Sequence, residues 1–187
     1  MNTFITILAY LNSIPARLKG MQFGAGAMIG PGYDWLTVKL NNIKLGDNVV
    51  IGRNAWLQTG DKGDLNIGQG TQIGRNVMIT TEQSIEIGEE CLLSYNVSLM
   101  DHDHETNKPE LSPMKSGITK PKSIEIGEHC FIGAHSFILK GVKLGKHCVV
   151  GANTVVTKSF PAYSVIAGNP AKLIKTLKPR GSQAPSR

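Results

Sequence analysis

The chain has 187 residues, of which 41% are hydrophobic and 18% charged, with a formal net charge of +6. That content suits one globular domain with a sizeable core and needs no second one. The mild positive balance lacks an aromatic-interleaved basic face, which argues against nucleic acid as a partner. Much of the charge falls late, at Lys172, Lys175, Lys178, Arg180 and Arg187, as in a solvated tail or a contact for phosphate-bearing small molecules.

Residues 1–20 read as a short capping helix ending before Pro15, with Phe4, Ile5, Leu8, Leu11 and Ile14 or Ala9 on one side. The segment lacks a basic n-region and a small-residue cleavage site and is too short to span a bilayer. Peripheral membrane contact by residues 1–15 is a second reading.

From residue 21 to 160 a large apolar residue returns every sixth position in groups of three. The triplets are Phe23, Ile29, Trp35; Leu45, Ile51, Leu57; Ile67, Ile73, Ile79; Ile87, Leu93, Leu99; Ile126, Ile132, Ile138; and Leu144, Val150, Val156. A period of six matches neither a helix nor an alternating strand, and it predicts a β-solenoid with one short strand and one bend per hexapeptide. Three hexapeptides make one coil of a three-sided prism, and about six coils at ~4.8 Å make a rod ~29 Å tall. Glycine after the large residue permits a bend without a Cβ clash. Small or β-branched residues four places after it, such as Val49, Thr71, Cys91, Ser136 and Thr154, are expected to point inward. Extra residues all fall between triplets, so every insertion leaves at one corner. Cys91, Cys130 and Cys148 share one inward slot in successive coils. Their parallel Cβ vectors and odd number suit reduced thiols, and with them a cytoplasmic protein.

The insertion at 101–122, DHDHETNKPELSPMKSGITKPK, is the long one and carries two histidines, so it reads as a functional arm. After it, residues 161–187 are expected to form one last strand over Ser164–Ala167, a short helix from Asn169 to about Leu177, and a frayed tail.

The hexapeptides, followed by IGAHSFILKGVKLGKHCVVGANTVVTKSFPAYSVIAGNPAKLIK, resemble the left-handed β-helix acyltransferases, especially sugar O-acetyltransferases of the galactoside and maltose type. The resemblance covers about residues 45–177. It implies a left-handed coil, a homotrimer, acetyl-CoA as donor, a sugar acceptor and active sites between neighbouring subunits. It also implies a catalytic histidine at the start of the arm, His104 by an ungapped count from Asn96 or His102 by a two-residue shift. A base of near-neutral pKa is wanted there to take the proton of an acceptor hydroxyl as it attacks a thioester. Asp101, Asp103 or Glu105 is available to orient the ring. By the same resemblance Asn76 falls where those enzymes contact the acceptor, and Phe131 replaces a tryptophan. Ala134 and Ala152 meet the pantetheine arm, Thr157 and Lys158 lie near the adenine, and Lys172 and Lys175 stand where arginines approach the phosphates. Lysine keeps the charge there without the bidentate fork.

The function so implied is transfer of an acetyl group to a sugar hydroxyl, plausible in surface polysaccharide synthesis, or to an amino sugar nitrogen. Two other classes compete with it. One is a non-catalytic trimeric scaffold. The other is a zinc enzyme of the γ-carbonic-anhydrase kind built on His129, His135 and His147, whose spacing does not match that ligand set. No metal is expected.

Overall fold

The computed structural model describes residues 3–34 and 39–178. Trp35, Arg180 and Arg187, and the side chains of Phe4 and Ile5, lie outside the described set. The chain winds into a parallel β-helix with three flat faces, here A, B and C. Coil four shows the plan: Ser84–Ile87 on face A, Leu92–Leu93 on B and Ser98–Met100 on C. Each strand pairs in parallel with the equivalent strand of the next coil, as Leu93 does with Ile73 and Ile132. Six coils are followed by part of a seventh, made by a Phe160–Leu144 bridge on face A and the strand Ser164–Ala167 on face B.

The period of six is explained by what each slot meets. The large residue of every described hexapeptide from Ile29 to Val156 is buried, and so is every small residue four places later, from Ala27 to Thr154. The glycines between them serve a purpose other than the expected bend. A Cβ on Gly52 would lie 2.6 Å from the Gly74 carbonyl carbon, and one on Gly74 would lie 2.7 Å from that of Ser94. They allow backbones of successive coils to meet. The bend itself comes two residues later, in left-handed conformations at Asn48, Asn54, Asn76, Asn96 and Asn153, where asparagine tolerates positive φ. His129, His135 and His147 occupy the same slot.

Cys91, Cys130 and Cys148 are buried free thiols, each donating to a carbonyl of the next coil, of Gly127, Gly145 and Pro161 at 3.1, 3.2 and 3.2 Å. Flanking Cys148 and Cys91, together with burial, push the Cys130 thiol far above its usual range.

Both ends depart from expectation. The first helix, α1, spans Thr3–Leu18 and runs through Pro15 rather than stopping before it. A proline removes one amide donor, and here the last turn closes around the loss, with the Lys19 N–H donating to the Pro15 carbonyl at 3.1 Å. The buried stripe of α1 is Ala9, Ser13 and Ala16, while Leu8, Leu11 and Ile14 are exposed. Ser13 Oγ accepts the Ile29 N–H at 3.1 Å, so the helix occupies an open backbone edge of the first coil. Small residues win this contact because only they let the helix backbone come so close.

At the other end the expected helix after Asn169 is a strand, Lys172–Thr176, antiparallel to Ser164–Ala167. Ser164–Ala167 ends face B with unpaired backbone groups, and a returning strand satisfies them. A helix of so few residues has no comparable source of stability.

Candidate active site

The arm leaves the corner where face C turns into face A. In coils two and three the inward slot at the end of the face C strand holds Thr59 and Thr81, both buried. In coil four the same slot holds Asp101, a carboxylate with no exposed surface. It accepts from Thr81 Oγ1 at 2.7 Å and from the N–H groups of Glu82, Gln83 and Ser84 at 2.9, 2.8 and 3.0 Å. His102 Nδ1 lies 3.0 Å from Asp101 Oδ1. Burial opposes the charge, but the bonds from Thr81, Glu82, His102 and Gln83 outweigh it and hold the Asp101 carboxyl below its usual range.

This settles the orientation of one ring. An ionised carboxylate only accepts, so Nδ1 of His102 carries a proton toward it, and Nε2 is the ring nitrogen left for another partner. The His102 side chain is 17% exposed. His104 lies in the stem of the arm, where residues 103–105 run antiparallel to 117–119 through the His104–Ile118 bridge and the Thr119 N–H to Asp103 carbonyl bond of 2.8 Å. Its side chain faces solvent. Lys140, one coil on, staples the stem by reaching Asp103 Oδ2 at 2.7 Å and Thr119 Oγ1 at 2.6 Å. A four-residue helix, α2 (Pro113–Ser116), forms the tip.

The buried role of Asp101 and the stapling role of Lys140 are absent from the sequence reading. The signal was available: aligning hexapeptides column by column puts Thr59, Thr81, Asp101 and Lys140 in one slot, and a carboxylate in an inward column must be paired.

The remaining expected site residues fall at other places. Ala134 and Ala152 stack on consecutive coils at the corner between faces B and C, where the Asn153 N–H donates to the Ala134 carbonyl at 2.9 Å. Asn76 is at the same corner, beside a hollow of about 470 Å³ lined also by Arg75 and Tyr95. Its left-handed backbone accounts for an asparagine there without any ligand. Phe131 points outward from face B, between Leu92 and Val149. Thr157 and Lys158 return to the corner of the arm, two coils further on, with Lys158 Nζ 5.7 Å from the Phe160 ring centroid. Lys172 and Lys175 are exposed on the terminal strand. Within one chain His102 and His104 therefore lie at the opposite edge of face C from the alanine ladder. A hollow of about 750 Å³ on face A near Glu125, Lys143 and Phe160 holds none of these residues.

The other histidines have partners of their own. His129 stacks on His147 at 4.7 Å, which stacks on Tyr163 at 5.0 Å. His129 Nδ1 is 3.3 Å from Glu90 Oε2, and His135 Nε2 is 3.3 Å from Asn96 Nδ2. Among the described residues no three His, Cys, Asp or Glu side chains of one chain are grouped to hold a metal ion.

Residues 65–100 and 123–158 match the family model described as the hexapeptide repeat of succinyl-transferase, and the gap between the two matches brackets the arm. A Dictyostelium discoideum protein whose name assigns it provisionally to the acetyltransferases is 48% identical over 93 residues, 50% of this chain and 47% of that one. The chain spans about half the length of that relative. Among solved structures, a single-site mutant of the N-acyltransferase AntD from Bacillus cereus, in complex with dTDP and coenzyme A, superposes with a TM-score of 0.72 at 22% identity, covering 87% of this chain and 88% of that one. A maltose O-acetyltransferase from Clostridium difficile 630 does so with a TM-score of 0.55 at 21% identity, covering 95% and 90%. Residues 65–100 and 123–158 thus carry the hexapeptide repeat, and the chain has the left-handed β-helix fold seen in these acyltransferase structures.

Proposed function

We propose that the protein is an acyl-CoA-dependent acyltransferase that moves an acetyl group from acetyl-CoA to a hydroxyl of a sugar, with His102 as general base. The observation that carries this reading is the Asp101–His102 pair at the root of the arm, with Nδ1 committed to a buried carboxylate. In the reaction Nε2 accepts the acceptor hydroxyl proton as the oxygen bonds to the thioester carbonyl carbon. The tetrahedral oxyanion is met by a backbone N–H near Ala134. The carbon–sulfur bond then breaks, the imidazolium returns the proton to the thiolate, and an ester and free CoA leave. A base so placed is typically worth about 10² to 10⁴ in rate. Ionised Asp101 stabilises the imidazolium that forms in between.

The sugar acceptor is supported by the likeness to a maltose O-acetyltransferase. AntD, an N-acyltransferase also crystallised with dTDP-4-amino-4,6-dideoxyglucose, supports an amino sugar nitrogen as the second choice. Phosphate contacts fall to Lys172 and Lys175, with Lys158 near the adenine, and all three are exposed. Because His102 and the ladder of Ala134 and Ala152 lie at different corners of one copy, the working site is a cleft between two copies of a homotrimer. The arm of one copy faces the ladder of the next. Reduced, buried cysteines support a cytoplasmic setting, where acyl-CoA is made.

The test is release of free thiol from acetyl-CoA against a panel of sugars and amino sugars, with the mass in solution measured alongside. The reading requires acceptor-dependent thiol release and a mass near three times the 20.2 kDa of one chain. A monomer, or no turnover with any acceptor together with no CoA binding, overturns it.

A further inference from the structure

Helix α1 is built the wrong way round for a helix that merely caps a core. Its packed side is the small-residue stripe of Ala9, Ser13 and Ala16, three to four residues apart and therefore on one face. Ile7, Leu11, Ile14 and Leu18 follow the same spacing on the opposite face, with Tyr10 at its margin. All five are exposed, Leu11 to 52% and Leu18 to 84%. Facing the large apolar residues outward leaves them in water unless something covers them.

Two observations say what covers them. Residues 1–33 hold no acidic residue, and their only charges are Arg17 and Lys19 at the C-terminal end of the helix. Arg17 is held there by stacking over Phe23 and Tyr10, at 4.1 and 5.5 Å from the ring centroids. A large apolar face, an aromatic at its edge and basic residues alone within and at the end of the helix make the composition of a helix lying in the interface of an anionic bilayer. The nearest acidic side chains in the sequence, Asp34 and Asp47, belong to the coils beneath. At 16 residues it is too short to cross one. Beside it runs a groove of about 540 Å³ lined by Leu8, Met28, Pro31 and Val50, with Asn12 the one polar side chain on its wall. Such a groove accepts an acyl chain rather than a charged surface of another protein.

We propose that α1 is an interfacial helix that seats the first coil of the solenoid on anionic phospholipid. This inference is independent of the acyltransferase reading, since a soluble acceptor assay needs no membrane. The test uses the full chain and two sets of extruded vesicles, phosphatidylcholine alone and phosphatidylcholine with phosphatidylglycerol, in a flotation assay. The wild type is expected to float with the anionic vesicles and far less with the neutral ones. The double variant Ile7→Glu with Leu11→Glu is expected to float roughly tenfold less or worse, with its mass in solution and its melting curve unchanged. Leu11→Trp supplies a second reading that needs no loss of binding: its added emission shifts to the blue on anionic vesicles, over the background of Trp35 and Trp56. Flotation of the wild type with neither vesicle, equal flotation of the double variant, or no shift for Leu11→Trp each overturns the proposal. So does dissociation of the double variant into smaller species, which assigns the face to a second copy of the chain.

Discussion

Two corners of the same prism are built from equivalent slots and have diverged in opposite directions. At the corner between faces B and C the repeat is kept. Asn54, Asn76, Asn96, His135 and Asn153 follow one another in the left-handed slot, with one change of residue type and none of backbone, and Ala134 and Ala152 stack beneath one another. At the corner between C and A the repeat breaks. One slot holds Thr59, Thr81, Asp101 and Lys140 in turn, and an arm of 22 residues leaves from it. A slot that repeats is dictated by backbone, so its side chain needs no chemical explanation. A slot that changes type is where a side chain has been freed for another task.

The largest break in that comparison comes from Asp101. Asp101→Ala leaves the Thr81 hydroxyl, three N–H groups and His102 without their acceptor, and should cost about 3–5 kcal/mol in denaturant unfolding. An Ala at Glu89, an exposed position of the regular wall, should stay within about 0.5 kcal/mol. Asp101→Asn sharpens the point by keeping the shape and losing the charge, for about 1–3 kcal/mol. It also removes a pH dependence. The folded state holds the Asp101 carboxyl low, so its contribution is present above the unfolded pKa near 4 and lost as pH falls further. Unfolding free energy of the wild type should drop over that acid range more steeply than that of the Asn variant.

Smaller effects probe the repeated corner. Asn76→Gly should leave stability nearly unchanged, and Asn76→Ala should lower it by about 1 kcal/mol because a Cβ without a local hydrogen bond is strained at φ 54°. If Asn76→Gly folds normally yet loses acceptor affinity, this asparagine contacts ligand as well. The smallest effect is expected of Lys140→Met. It removes two partly exposed contacts worth about 1 kcal/mol together, and should appear as faster proteolytic nicking of the arm at unchanged global stability.

The same contrast explains what could be read in advance. The solenoid was legible because each coil repeats one demand, so Ile73, Leu93 and Ile132 report the same environment three times. The inward cysteines, the insertion corner and the stack of His129 on His147 follow from that register alone. The ends were less legible because each meets a partner only once. Nothing near Ser13 announces that its hydroxyl will take the Ile29 N–H, and nothing in KLIKT announces a strand edge waiting beside it. At the arm, counting residues favoured His104. The ring that the fold orients is His102, because orientation depends on a buried carboxylate and on three amides from the preceding coil.

The most direct test is the turnover of two single variants with acetyl-CoA and any acceptor that supports thiol release. His102→Ala is predicted to lose about 10²- to 10⁴-fold in kcat with the mass in solution intact, while His104→Ala stays within a few-fold of wild type. Full activity in His102→Ala, or the large loss in His104→Ala instead, contradicts the account.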